Sequence, residues 1–299
     1  MDDIFPILQR IPQFASPGSL EIEELTGGIT NRNYKITVDG ESYALRLGGN
    51  ETQFLGIDRR TEYECSLLAS QIGIAPEPTA FLEPEGYILA RFISGKWIPA
   101  EEIGNEQNIS RVVQSMKAYH ALDFFPGSFS PFRVAGDYAR TASSFNVKLP
   151  EKMDWYLEKS REIEKAMYER EPLQSHPCHN DLLNGNFIDD GTRIRILDWE
   201  YAGMGDIFFD LGNFAVQHDF NDEQDEILLK AYFGTATDSQ RAHLRLMKIM
   251  SDLRESMWGM VQLGVSTLDF DYAGYAQKYF DRFEAAVTQP IYKNWLSAV

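Results

Sequence analysis

The chain is 299 residues long and carries 45 acidic against 28 basic side chains, a formal charge of −17. Its 43 % hydrophobic content is too high for a disordered chain, and at this length one large domain or two lobes sharing a cleft is expected. The acidity argues against a nucleic-acid backbone as partner and suits a small cationic molecule better, although it also serves plain solubility.

Two cysteines, Cys65 and Cys178, lie far apart and form neither a disulfide framework nor a metal-ligand pattern. The start, MDDIFPILQR, lacks a basic segment followed by a long apolar core. No run approaches the roughly 18 apolar residues of a membrane span, so the expectation is a cytoplasmic protein without membrane insertion.

In chain order, Ser19–Leu25, Asn33–Asp39 and Ser42–Leu47 are short alternating runs, and Asp39-Gly40 is a hairpin turn signal. A helix is expected over Asp58–Gln71, with Leu67 and Leu68 facing inward, Gly73 as its stop, and Pro76 and Pro78 beyond. Thr79–Glu83 and Tyr87–Ile93 are extended and flank the turn Glu83-Pro84-Glu85-Gly86. Ser94-Gly95 reads as a joint, dividing a β-rich lobe (residues 1–94) from a helical lobe (residues 95–299). Beyond it Ile109, Val112, Val113, Met116 and Tyr119 share one helix face, as do Leu246, Met250, Leu253, Met257 and Val261. Between them Ser175–Trp199 reads as strand, turn, strand, broken at Asn184-Gly185 and Asp189-Asp190-Gly191.

That insert carries the chemistry. The string HPCHNDLLNGNF starts at His176 and places Asp181 five residues before Asn186; an apolar strand then ends in Asp198, followed by Trp199 and Glu200. Phosphoryl transfer needs a carboxylate beside the incoming hydroxyl and hard oxygen ligands for Mg²⁺ on the nucleotide phosphates. An Asn amide and an Asp carboxylate supply such oxygens, and the H-x-D-x-x-x-x-N spacing matches a kinase catalytic loop. Asp and Asn also gather in loops because they turn well, but the strand ending in Asp198 makes that reading the weaker one.

The strings HNDLLNGNF, ILDWEYAGMGD and FDLGN resemble the choline/ethanolamine kinase branch of the aminoglycoside phosphotransferase-like kinases. The resemblance runs from Thr26 to the YAGYAQKYF segment at Tyr272. It implies an α+β, two-lobed protein-kinase-like fold, with a small antiparallel β-rich N-lobe and a larger helical C-lobe holding a short β insert. It implies Asp181 as the catalytic residue, Asn186 and Asp198 as Mg²⁺ ligands, and Asp210 of FDLGN as the holder of the catalytic loop's backbone. On the nucleotide side Gly27, Gly28, Thr30 and Asn31 correspond to the phosphate-covering loop, although a glycine pair in a hairpin is often only a turn. Arg46, a charge inside an apolar run, requires an acidic partner. It matches the phosphate-binding cation of the third strand, with Glu62 preferred to Glu64 as that partner. Arg91, Phe92 and Ile93 correspond to the segment that grips adenine through its backbone. ATP and Mg²⁺ are the implied cofactors.

For the acceptor the resemblance implies choline. A quaternary ammonium cannot donate a hydrogen bond, so its site needs aromatic faces and carboxylates. Trp258 stands at a cage position, with Tyr201 and Tyr272 as further walls. Two departures bear on the acceptor: Glu255 replaces a second cage tryptophan, and Gln217 replaces an acid. Glu200 and Gln217 join the expected substrate-binding set. Glu255 either attracts the cation or forms a surface pair with Arg254 or Arg245. Ethanolamine, thiamine-type and aminoglycoside acceptors are the alternatives within the same chemistry. A kinase-like ligand sensor is the alternative outside it.

Overall fold

The computed structural model describes residues 4–14, 17–25, 32–48, 52–169 and 171–299. A short helix α1 (Phe5–Leu8) precedes the strands β1 (Leu20–Leu25), β2 (Arg32–Val38) and β3 (Glu41–Leu47). Then follow α2 (Arg59–Gln71), β4 (Pro78–Leu82) and β5 (Tyr87–Arg91), so the alternating runs become one antiparallel sheet in the order β1-β2-β3-β5-β4. Asp39 and Gly40 both take positive φ, 50° and 87°, the pair of left-handed residues that a two-residue hairpin requires. Ile36 and Leu45 point to the same face and bury against Leu8 and Ile11.

Asp58 caps α2 by accepting the Thr61 N–H at 2.6 Å. The helix turns Glu62, Cys65, Ser66 and Ala69 inward, while the expected Leu67 and Leu68 are only half-buried. Small residues win this face because the Cys65 thiol lies against the carbonyls of Pro126 and Ala202, a gap with no room for leucine.

After β5 the chain passes into β6 (Lys96–Trp97), α3 (Glu106–His120), α4 (Pro131–Ser144) and α5 (Met153–Tyr168). Four short strands come next, β7 (His176–Cys178), β8 (Phe187–Asp189), β9 (Ile194–Ile196) and β10 (Gly203–Gly205). The remainder is helical: α6 (Ile207–Gln217), α7 (Asp222–Phe233), α8 (Asp238–Val265), α9 (Tyr272–Val287) and α10 (Tyr292–Ala298). Strand β6 lies outside the large sheet and pairs with β8, which pairs with β9; β10 pairs with β7. At Gly95 a Cβ would collide with the Ile188 side chain and the Asp189 carbonyl, so only glycine lets the strand enter there.

The two expected helix faces are buried in full, Ile109 to Tyr119 on α3 and Leu246 to Val261 on α8. Helix α8 packs against α4, α6 and α9, and Gly212 of α6 meets its backbone so closely that a Cβ would strike Met247. The arrangement is the expected two-lobed α+β fold, with the short strands carried by the helical lobe. Among the described residues no helix is long and apolar enough to cross a membrane.

Candidate active site

The loop after β7 is held from behind by a buried carboxylate. Asp210, in the first turn of α6, accepts the backbone N–H of His179 at 2.9 Å and of Asn180 at 2.6 Å. It also accepts the Tyr119 hydroxyl at 2.7 Å and meets His120 Nε2 at 2.9 Å. Burial pushes the Asp210 carboxyl up, but His120 and the other donors outweigh it and hold it below the ordinary range. Asn180 takes φ 66°, and its amide donates to the Tyr201 carbonyl at 3.0 Å. His179 Nε2 donates to the Leu197 carbonyl at 2.8 Å while Nδ1 accepts the Asp181 N–H at 3.2 Å, which fixes a neutral imidazole. Burial lowers its pKa, so the ring orients the loop and takes no proton.

This scaffold presents Asp181 and Asn186. The Asn186 amide nitrogen donates to the Asp181 carbonyl at 2.9 Å, so its oxygen is the group left to offer. The β8–β9 register opposes Phe187 with Ile196, and Leu197 N–H bonds the Asn186 carbonyl at 2.9 Å, which puts Asp198 beside Asn186. Asp198 itself is turned by a positive φ of 61°. An amide oxygen and a carboxylate are hard donors that fit Mg²⁺. The buried cluster of His120, Cys178 and Asp210 has ligand-like spacing, but the hydrogen bonds of His120 and Asp210 already serve the loop.

Across the cleft, Arg46 of β3 pairs with Glu62 and with Asp198 and lies 4.0 Å from Glu200. Arg59 joins them, 2.6 Å from Glu62 and 3.0 Å from Glu200. Glu62 is buried and Glu64 exposed, as helix phase dictates. Glu200, expected on the acceptor side, stands in this ion cluster because successive residues after Asp198 point to opposite sides of the turn. Burial and Asp198 push its carboxyl up, and Arg46 and Arg59 oppose them.

The β3–β5 pairing sends the Arg91 side chain outward to Glu41, 2.8 Å away, while the expectation for this segment concerns its backbone. The backbone N–H of Arg91 is taken by Glu77 and that of Phe92 by Ser42. Among the described residues Ile93 and Ser94 have no backbone hydrogen bond, so this stretch keeps its main-chain groups to offer. Gly27, Gly28, Thr30 and Asn31 lie outside the described residues.

Glu255, expected on the acceptor side, is only 2 % exposed, which excludes the surface pair. Its Oε1 accepts from Arg254 Nη1 at 2.6 Å and its Oε2 from the Tyr275 hydroxyl at 2.6 Å. Arg254 Nη1 also reaches Asp181 Oδ1 at 3.2 Å, and its guanidinium lies 4.4 Å from the centroid of the Tyr201 ring. Burial raises the Asp181 carboxyl above the ordinary range; Arg254 opposes that shift, and Glu255 adds to it. Trp258 packs on Tyr272 at 5.9 Å and on Tyr275 at 5.5 Å, with Phe270 4.8 Å from Tyr272. Gln217 ends α6 with its amide nitrogen buried and, among the described residues, without a hydrogen-bond partner. The sequence assigned nothing to Arg59 or Tyr275 and offered Arg254 only as a surface partner of Glu255; Tyr275 had a signal, standing three residues after Tyr272 on one face of α9.

The sequence matches the choline/ethanolamine kinase family model over residues 22–284. A choline/ethanolamine kinase family protein from Mesorhizobium loti has the same fold, with a TM-score of 0.85 and 31 % identity over 99 % of this chain and 98 % of that one. Choline kinase LicA from Streptococcus pneumoniae superposes with a TM-score of 0.79 at 21 % identity, covering 95 % of this chain and 100 % of its own. Probable ethanolamine kinase A of Dictyostelium discoideum is 26 % identical over 300 residues, 88 % of this chain and 84 % of that protein.

Proposed function

This chain belongs to the choline/ethanolamine kinase family and is an ATP-dependent phosphotransferase, and we propose that it phosphorylates the hydroxyl of choline to give phosphocholine. The observation that carries the proposal is one run of contacts, Asp181–Arg254–Glu255–Tyr275, that joins the carboxylate of the loop to the aromatic group on α8 and α9. The base and the seat for a cationic head are therefore joined by one continuous run of contacts in this reading. Residues 1–94 serve the nucleotide in this reading, and residues 95–299 the reacting groups and the acceptor.

Asp181 Oδ1 is held by Arg254, which leaves Oδ2 to orient the acceptor hydroxyl and take its proton late in transfer. Arg46, drawn toward Asp198, brings positive charge to where the phosphates lie, and Glu62 keeps it there. Asn186 and Asp198 would hold Mg²⁺, which would neutralise phosphate charge there. Trp258, Tyr272 and Tyr275 offer π-faces to an ammonium group. Trp258→Ala is expected to raise the choline KM by about 2- to 30-fold with kcat nearly unchanged, since each aromatic contact contributes roughly 0.5–2 kcal/mol. A KM change under twofold in steady-state assays would argue against that seat.

Ethanolamine is the second reading, favoured by the buried Glu255 carboxylate, which suits a head group with N–H donors. ATP consumption measured over choline, ethanolamine, thiamine and an aminoglycoside separates these. Choline is expected to have the highest kcat/KM. A higher value for ethanolamine overturns the choline assignment, and nucleotide binding with no transfer to any of the four points to a sensor.

A further inference from the structure

Arg254 sits in the middle of the 28-residue helix α8 and is 2 % exposed, as is Glu255 beside it. Burying an ion pair is weak support for stability, because apolar side chains of similar volume do as well or better. The pair therefore calls for another reason. Its geometry is specific: one nitrogen, Nη1, reaches both Asp181 Oδ1 and Glu255 Oε1, while Nε and Nη2 make no hydrogen bond among the described residues. The face of the guanidinium rests on Tyr201, whose carbonyl is tied to Asn180 in the catalytic loop. At the far end Tyr275, from α9, donates to Glu255 Oε2 and packs on Trp258.

We propose that Arg254 is a positioning residue, fixing the Asp181 carboxylate so that Oδ2 alone faces the acceptor hydroxyl, and that Glu255 and Tyr275 in turn fix Arg254. This rests on the reading of Asp181 as the base. A carboxylate gripped at one oxygen loses its freedom to rotate about the Cβ–Cγ bond, and the grip comes from a long helix rather than from the loop itself. Without it both oxygens swing, and the hydroxyl is no longer presented at a fixed distance and angle. The link through Tyr275 ties this alignment to the aromatic seat, so the occupant of the seat and the base share one rigid chain.

The test uses the full-length protein with choline and Mg·ATP. Arg254→Met is expected to lower kcat about 10- to 100-fold with the KM for Mg·ATP within twofold of the parent, because the nucleotide side is untouched. Arg254→Lys, which keeps a cation, is expected to recover part of that loss. Tyr275→Phe, which keeps the ring and removes only the hydroxyl, is expected to lower kcat about threefold. Parent kcat in Arg254→Met overturns the proposal, as does a KM for Mg·ATP that rises in step with the loss, the mark of general loosening. Should Arg254→Met fail to fold, Arg254→Lys and Tyr275→Phe decide, and parent kcat in both overturns it. Asp181→Asn is run alongside: full activity there removes the base assignment itself, whereas an inactive Asp181→Asn with an undiminished Arg254→Met overturns only the positioning role.

Discussion

Asp181→Asn is expected to cut kcat by about 10³-fold or more while the protein keeps its fold and its affinity for Mg·ATP. The amide cannot accept the hydroxyl proton, and general-base contributions run to roughly 10²–10⁴-fold. The nucleotide contacts should survive, because Arg46, Glu62, Asn186 and Asp198 are unchanged and the Asn186 amide bonds the backbone of residue 181 rather than its side chain. Stability is expected to hold or rise. Burial raises the Asp181 carboxyl, so ionising it costs the folded protein stability as the pH climbs from the ordinary aspartate value of about 3.9 toward the higher folded value. A neutral amide removes that cost. Thermal melts at pH 7 should therefore give a Tm equal to or above the parent's, alongside near-zero turnover. A variant within tenfold of parent activity would end the assignment of Asp181 as the base.

What the sequence revealed and what it hid follow one physical line. Asp181, Asn186 and Asp198 stood out because phosphoryl chemistry admits few residue types and all three lie on one short stretch. Glu62 could be inferred because a cation inside an apolar strand needs a neighbour of opposite charge, and the register counted back from Ala75-Pro76 favours it over Glu64. The large sheet was legible from alternation and from Asp39-Gly40. Contacts between elements far apart in the chain left no such trace. Arg254 meets Asp181 across 73 residues, and nothing in the sequence says which side of α8 faces the loop. The sequence left Glu255 open between attracting the cation and a surface pair, because its partners cannot be seen until α8 and α9 are packed. The Arg91 side chain meets Glu41 because Arg91 pairs with Tyr43, a register that the strand's own sequence does not contain, and the expectation for its backbone is a separate matter. Glu200, expected at the acceptor, lies instead 3.0 Å from Arg59, a contact across 141 residues that adjacency in the chain does not reveal.

The other large effect is expected at a residue that touches no substrate. Asp210→Asn keeps shape and size but exchanges one of two acceptor oxygens for a donor. In the parent those oxygens take two loop N–H groups, a tyrosine hydroxyl and His120. With an amide, at least one N–H of the loop is left buried without a partner, at roughly 1–3 kcal/mol for each such group. His120 loses its charged neighbour as well. Asn180 holds a left-handed backbone only because both ends of its peptide environment are tied, so its release carries Asp181 away from the acceptor. A kcat loss of about 10²-fold is expected from misplacement of that order, here with a Tm lower by several degrees. The pH dependence has the opposite sign to that of Asp181. The folded Asp210 carboxyl lies below its ordinary value, so its stabilisation is present above about pH 3.9 and is lost as the pH falls through the lower folded value. Melts from neutral pH down into that acid range should therefore converge for parent and variant, the gap being widest near neutrality. A variant that matches the parent in both Tm and kcat would show that the loop is held by other contacts.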